Sequence, residues 1–482
     1  MGGNTKNTHS MSGAAAGEKR NSFSGSLGFV LAAAGSAVGL GNIWRFPYLA
    51  AKDGGGIFLA VYILLALTFG FTLLTTEVAI GRKTKQSPLT AYRKLSKRWG
   101  FLGVLACIIP MLILPYYCAI GGWVLKYFLT FLTKSGAAAA AEDGFFTGFI
   151  TAQTEPVVLM LLFMLVTALI IFLGVNKGIE SFSRILMPIL IILVIGIAVF
   201  SVTIHHTDST GTVRSGWEGF KIYIIPDFKG MTLQHFFTVL LDAMGQLFYS
   251  LSVAMGIMIT YGSYVKDTDN LGKSINQIEI FDTMIAFLAG VMIIPAVYVF
   301  MGREGMAASG PSLMFVSLPK VFAEMGGIGR FVGLLFFAMV LFAALTSSIS
   351  ILEAVVSSLM DYFKLSRAKA VAIEFILALA GGLAVCFGYN LWYFEQPLPN
   401  GTVGQVLDIM DYISNYVLMP VVAIGTCILI GWILKPGTVI DEVTKNKERF
   451  GRKSLYIIML RYIAPALLLI LLLKSLGIIT FL

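Results

Sequence analysis

Read as a pattern of hydrophobic and polar positions, the chain alternates between long apolar runs and short polar connections. A hydrocarbon core of roughly 30 Å takes about 20 helical residues to cross. Runs of that length are centred near Val30, Leu67, Leu112, Leu165, Ile191, Leu251, Ala289, Ala343, Leu377, Val421 and Leu468. The pattern predicts an all-α polytopic membrane protein with about eleven transmembrane helices. The connections reach only roughly 30 residues, too few for an ordinary soluble domain, so the helices are expected to pack as one bundle.

Two runs depart from a plain spanning pattern. The first contains "GSAVGLGN", followed by Trp44 and Arg45, and the sixth contains "SLSVAMG", Ser250 to Gly256. The spacing of these interruptions suggests two five-helix repeats, each opening with a broken helix: residues 25–203 and 235–435. Residues 204–234 would form an outer loop between them, and 436–482 a cytoplasmic loop with an eleventh helix outside the repeat. Broken helices in corresponding positions of two halves point to a transporter's substrate site near the bilayer midplane. Glycine-rich helix-packing faces are the alternative. Asn42 and Arg45 weigh against it, because polar side chains at membrane depth are costly and tend to be functional.

Composition agrees with the membrane assignment. At 482 residues, with 57% hydrophobic and 13% charged, the chain is too apolar for a polar-surfaced soluble protein. The net charge of +9 does not indicate nucleic acid, because its position explains it. The basic residues gather in "GRKTKQSPLTAYRKLSKRWG", "KLSRAKA" and "KPGTVIDEVTKNKERFGRKS", whereas "TKSGAAAAAEDGFF" and "GYNLWYFEQPLPNG" are basic-poor. The positive-inside rule then places the N-terminus in the cytoplasm and, for eleven spans, the C-terminus outside. The polar residues 1–24 are too hydrophilic for a signal peptide and are expected to form a cytoplasmic tail. Cys107, Cys118, Cys386 and Cys427 fall in apolar runs, where they read as small packing residues and not as disulfides.

Unwinding a helix in lipid frees backbone groups that must find partners in a cavity or in a ligand. Freed carbonyls suit a small cation, and freed N–H groups at the start of a half-helix suit a carboxylate. One interrupted segment can therefore hold Na⁺ and an amino acid's carboxylate together. The eighth run carries "FAALTSSIS", in which Thr346 and Ser347 either bond back to their own helix or serve as oxygen ligands. The seventh opens with "IEIFDTMIAFLAG", placing Asp282 about one turn into the membrane, where a carboxylate needs a cation or a proton unless it snorkels out.

The ordered stretches "GSAVGLGNIWRFPYLAAKDGGG", "PYYCAIGGW", "GQLFYSLSVAMGIMITYGSY", "LTSSIS" and "LDIMDY" resemble the neurotransmitter:sodium symporter family, bacterial amino-acid branch, over nearly the whole chain. The resemblance implies two inverted repeats and two Na⁺ sites. The first would use the carbonyl of Ala37 and the side chains of Asn42, Ser250 and Asp282, completed by the substrate's carboxylate. The second would use carbonyls of Gly35, Val38 and Ala343 and the hydroxyls of Thr346 and Ser347. The substrate carboxylate would meet the N–H groups of Leu40 and Gly41 and the Tyr117 hydroxyl. Its ammonium would sit near the carbonyls of Ala37, Tyr249 and Ser250 and the Ser252 hydroxyl. Ile113, Met255, Ser347 and Ile351 would line the side-chain subsite. Gly39 stands where monoamine carriers hold an acidic residue, which favours an amino-acid substrate. Arg45 with Asp411 would form the outer gate, with Tyr117 and Tyr249 as an aromatic lid. Arg20 with Asp361 would form the inner gate, near Tyr264.

Several positions depart from the family pattern. Asp282 replaces a neutral asparagine of chloride-dependent relatives, and Ala286 a chloride-holding serine, so no chloride requirement is expected. Protonation of Asp282 when Na⁺ leaves would give proton antiport. Ala254 replaces a glycine and would tighten the pocket. Phe23 replaces a tryptophan, and Pro115 would interrupt the third helix and shift Tyr116 and Tyr117. The expected activity is Na⁺-coupled import of a small to medium neutral hydrophobic amino acid across the inner (plasma) membrane, by a monomer or weak homodimer and without enzymatic chemistry. A non-transporting sensor of the same fold and a carrier for aromatic amino acids are the alternatives.

Overall fold

The structure, a computed structural model, describes residues 22–207, 211–228, 231–306 and 310–479. The chain is helical almost throughout. The principal helices are α1 (Ser26–Ala37), α2 (Gly41–Lys52), α3 (Gly56–Thr84), α4 (Lys97–Thr130), α5 (Glu155–Phe172), α6 (Val175–Thr203), α7 (Leu233–Ser250), α8 (Ile257–Ser263), α9 (Leu271–Gly305), α10 (Gly326–Phe363), α11 (Arg367–Gly388), α12 (Val406–Ile433) and α13 (Lys453–Ser475). Among the described residues, nine of these are long and apolar enough to cross a membrane, and the pair α1–α2, bent by 52° at its break, makes a tenth. The expected sixth span lies where α7 and α8 are, and it is not among them. Its six-residue interruption divides it, and α7 carries Gln234, His235, Asp242 and Gln246.

The first 21 residues, and with them Arg20, lie outside the described residues. All four cysteines are buried and unpaired, in keeping with their reading as packing residues. β-structure is limited among the described residues to two short hairpins in the connections and an isolated bridge between Gly55 and Pro226. In one of the hairpins, His205–Thr207 pairs with Val213–Ser215.

Local chemistry explains many helix limits. Thr232 caps α7 by accepting from the His235 N–H, and Asn270 caps α9 by accepting from the Lys273 N–H. In α4, Pro110 and Pro115 do not end the helix, which runs from Gly100 to Thr130 through both. The expected interruption at Pro115 is therefore absent. A proline removes one ladder bond but is tolerated in a membrane helix when packed neighbours re-satisfy the freed group.

The bundle closes on itself through close backbone contacts. A reciprocal pair of them joins α3 to α8. A Cβ added at Gly81 would stand 2.0 Å from the Ile259 carbonyl oxygen, and one at Gly262 would stand 2.4 Å from that of Val78. Reciprocal contacts of this kind need glycine on both helices, because neither backbone can step aside. Near them, Arg82 at the end of α3 is buried. Its Nε meets Glu442 Oε1 at 2.8 Å and its Nη1 meets the Asp269 carbonyl at 2.8 Å, tying two connections on the basic-rich side to the bundle.

Gly81→Ala or Gly262→Ala is expected to cost about 1–3 kcal/mol through forced separation of α3 and α8. The measurement is the melting temperature of the purified protein. Gly148→Ala is the control, since a Cβ there meets nothing within 4 Å, and it should leave the melt unchanged.

Candidate functional site

Residues 38–40 interrupt the first helix, with Val38 extended at φ −77° and ψ 90°. Residues 251–256 separate α7 from α8 and carry Ser252, Ala254 and Gly256 at φ +53°, +63° and +76°. The left-handed region is uncommon for residues with a Cβ and costs on the order of 1–2 kcal/mol each, so this turn is held in place by its surroundings. The two breaks lie against each other: the Ser252 hydroxyl donates to the Ser36 carbonyl (3.1 Å), and Gln246 Nε2 donates to the Gly41 carbonyl (3.1 Å).

Three of the residues expected at the first cation site meet in the core. Asp282 Oδ1 accepts from Asn42 Nδ2 (2.9 Å) and from the Ser250 hydroxyl (2.6 Å), which also lies 3.0 Å from Asn42 Oδ1. Asn42 and Asp282 are fully buried. The carboxylate sits roughly three turns into α9, which starts at Leu271. Its second oxygen faces the Tyr62 hydroxyl at 3.4 Å. Ala37, the remaining residue of that set, lines the adjoining cavity.

The second cluster joins α1 to α10. Thr346 bonds back to its own helix, at the carbonyls of Phe342 (3.1 Å) and Ala343 (3.0 Å). Ser347 instead crosses to the first helix, reaching the carbonyls of Ser36 (3.2 Å) and Val38 (3.5 Å). A Cβ at Gly35 would lie 3.3 Å from Thr346 Cβ. The first cluster presents hydroxyl, amide and carboxylate oxygens and the second hydroxyl and carbonyl oxygens, donor sets suited to a hard cation. Among the described residues there is no group of three or more His, Cys, Asp or Glu side chains that would suit a transition metal.

Between the clusters lies a small cavity lined by Ala37, Gly41, Ile113, Tyr117, Tyr249, Ser250, Ser252, Met255, Ser347 and Ile351, together with Ser36, Gly39, Asn42 and Ser350. Its volume of about 20 Å³ admits only one or two water-sized groups, so the site is contracted around its own hydroxyls. Ser36 and Ser350, which the sequence reading did not single out, share a 2.6 Å hydrogen bond in its wall. The buried Tyr117 hydroxyl has no hydrogen-bond partner among the described residues, leaving a donor available on the cavity wall. A Cβ at Gly39 would lie 2.9 Å from Ser347 Oγ and 3.3 Å from the Tyr117 hydroxyl. Leu40 is buried but is not part of the lining, and neither is Ala254. The methyl group of Ala254 therefore does not narrow the cavity as expected. Its N–H instead donates to Glu77 Oε1 of α3 at 2.6 Å.

Of the two expected gate pairs, only the outer one has both partners among the described residues. Arg45 and Asp411 make no direct ion pair. The Arg45 guanidinium lies over the Tyr416 ring, 5.8 Å from its centroid, while Asp411 Oδ1 accepts from the hydroxyl of Tyr116 (3.1 Å) and from the Asn415 amide. Both donors, from α4 and α12, fall on the same carboxylate oxygen. Tyr117 and Tyr249 both reach the cavity wall. At the inner end, Asp361 Oδ2 accepts from the Ser87 N–H at 2.7 Å, and its expected partner Arg20 lies outside the described residues. Tyr264 donates to the buried Glu353 (2.6 Å), which Arg367 grips with both nitrogens (2.7 and 2.8 Å). Phe23 is fully buried, packs edge-on to Tyr261 and Tyr264, and donates its N–H to the Tyr264 carbonyl.

Sequence reasoning missed Tyr62, Glu77, Gln246 and the Glu353–Arg367 pair. Glu77, Glu353 and Gln246 were visible as polar residues inside apolar runs, which is a signal in its own right. Tyr62 gave none.

Comparison with known proteins places this geometry. The model of the sodium:neurotransmitter symporter family matches residues 20–156 and 147–481. An uncharacterized sodium-dependent transporter of Bacillus subtilis is 33% identical over 465 residues, 94% of this chain and 97% of its own. A sodium- and chloride-dependent taurine transporter of Homo sapiens is 26% identical over 479 residues, 88% of this chain and 73% of its own. Among solved structures, MhsT in complex with L-phenylalanine superposes with a TM-score of 0.82 at 34% identity, covering 95% of this chain and all of that one.

Replacing Glu77 with alanine leaves the buried Ala254 N–H without an acceptor and is expected to cost about 1–3 kcal/mol, read as a lowered melting temperature. Glu77→Gln keeps an acceptor oxygen and should recover most of the loss. Gly39→Ala forces the Ser347 and Tyr117 side chains apart and should weaken ligand binding by about tenfold or more, measured by isothermal titration in sodium.

Proposed function

The chain belongs to the sodium:neurotransmitter symporter family, and from that premise we propose that this sodium-dependent transporter imports a neutral amino acid with an apolar side chain. The observation that carries the reading is the buried meeting of Asn42, Ser250 and Asp282 at the edge of the cavity that Tyr117 also lines. A cation held there would stand beside a substrate carboxylate that accepts from the Tyr117 hydroxyl. Ion and substrate then complete each other's coordination, and each raises the other's affinity by the same factor. A second cation would be held by the Ser347 and Thr346 hydroxyls with the carbonyls of Gly35, Val38 and Ala343.

Ile113, Met255 and Ile351 supply the apolar part of the wall, and Gly39 leaves no acidic group for an amine that lacks a carboxylate. With Ala254 away from the wall, its methyl group does not restrict the substrate to small side chains. Met255 is unbranched and can make room, and the L-phenylalanine complex of MhsT brings aromatic side chains within the proposed range. The fixed carboxylate of Asp282 supplies the negative charge near the first cation, so chloride is not required. Arg45 and Asp411 would close the outer path through their tyrosine and asparagine partners. The basic-rich face would lie in the cytoplasm.

The test is uptake of an amino-acid panel into proteoliposomes under an inward Na⁺ gradient, with K⁺ as control and no chloride on either side. Accumulation of leucine- or phenylalanine-like substrates only with Na⁺ is expected; Na⁺-dependent binding without accumulation would favour a sensor instead. Asp282→Asn should lower chloride-free uptake by about tenfold or more, with partial recovery when chloride is added. Undiminished chloride-free uptake in this variant would sink the charge-substitution argument.

A further inference from the structure

Away from this site, a cavity of about 430 Å³ opens on the basic-rich side between the start of α9, the middle of α3 and the connection leading into α13. Its lining includes Lys273, Arg449, Arg452, Asn276, Gln277 and Phe71. Arg452 is committed to the wall. It grips Glu279 with both nitrogens (3.0 and 2.7 Å), donates to Asn276 Oδ1 (2.6 Å) and to the Leu67 carbonyl (2.9 Å), and lies 3.4 Å over the centre of the Phe71 ring. Because Asn276 uses its oxygen on Arg452, its amide N–H groups remain as donors.

Lys273 and Arg449 are different. Both are exposed, and neither side chain has a carboxylate partner among the described residues. The neighbouring acids are engaged elsewhere: Glu279 with Arg452, Glu442 with Arg82, and Asp267 with Lys85 (2.9 Å) and Lys445 (3.2 Å). Asp269 and Glu448 are not part of the lining. The cavity therefore carries a surplus of positive charge and amide donors, the chemistry that recognises a phosphate group. The exposed Leu67 lies directly beside it, through the bond from Arg452, and the exposed Leu64 and Ile280 flank the same helices. A polar, cationic recess thus borders an apolar, outward-facing surface.

We propose that this cavity binds the phosphate group of an anionic phospholipid, held by Lys273 and Arg449 with amide donors from Asn276 and Gln277, while the acyl chains lie along Leu64, Leu67 and Ile280. Basic recesses between membrane helices on the cytoplasmic side have this preference. The site is independent of the transport reading, because none of its residues belongs to the cation clusters or the central cavity.

The experiment uses the full-length protein, stripped of lipid in detergent, and reads retained lipid by native mass spectrometry together with the melting temperature. Phosphatidylglycerol should be retained and should raise the melting temperature, whereas phosphatidylcholine should do neither. The K273Q/R449Q double variant should lose phosphatidylglycerol affinity by about 30-fold, at roughly one surface charge's worth per residue. K273R/R449K should retain it, which separates loss of charge from loss of folding. Sodium phosphate that reproduced the thermal shift, and failed to do so in K273Q/R449Q, would keep the phosphate site but assign it to a free anion. Equal retention of both lipids, or a K273Q/R449Q variant that holds phosphatidylglycerol as tightly as the native chain, would overturn the proposal.

Discussion

A backbone N–H or carbonyl that leaves helical geometry inside a hydrocarbon medium has no water to bond to, and each unsatisfied group costs several kcal/mol. This chain leaves helical geometry twice in the middle of its bundle, and much of its central architecture answers that cost. Gln246 of α7 reaches the Gly41 carbonyl, Glu77 of α3 reaches the Ala254 N–H, and the hydroxyls of Ser252 and Ser347 reach the Ser36 carbonyl. The breaks largely satisfy one another and the helices beside them. What they leave over is a set of oxygen atoms and the Tyr117 hydroxyl gathered around one small cavity. Structural necessity and ligand chemistry here use the same groups.

Much of this was legible in the sequence. Glycines beside Asn42 inside an apolar run, and a second interruption five runs later, are poor sequences for plain membrane helices. They are good ones for exposing backbone, so position and purpose could be read together. The meeting of Asn42, Ser250 and Asp282 followed from the family resemblance and not from periodicity, since these residues are far apart in the chain. Residues that act through a long side chain across the bundle were the hardest to foresee. Glu77 and Gln246 advertise themselves as polar residues at membrane depth, yet nothing local says which backbone group they meet. Tyr62 looks like any aromatic packing residue until its hydroxyl is placed against Asp282.

The differences have physical reasons as well. Ala254 adopts a left-handed conformation that turns its N–H to Glu77, so its methyl group is directed by the backbone and not by the pocket. Asp411 takes Tyr116 and Asn415 on one carboxylate oxygen, while Arg45 lies over the face of Tyr416. Arg45 and Asp411 are thus held by a ring and a network, each softer than a direct ion pair, whereas Tyr264 bonds to the buried Glu353–Arg367 pair.

The interlocked backbones of α3 and α8 bear on how such a molecule can move. With Gly81 against Ile259 and Gly262 against Val78, there is no side-chain layer between these helices to shear or repack. Parting them would require the backbones themselves to separate, and the six residues from Leu251 to Gly256, with Ser252 and Ala254 left-handed, are where α8 joins the rest of its span.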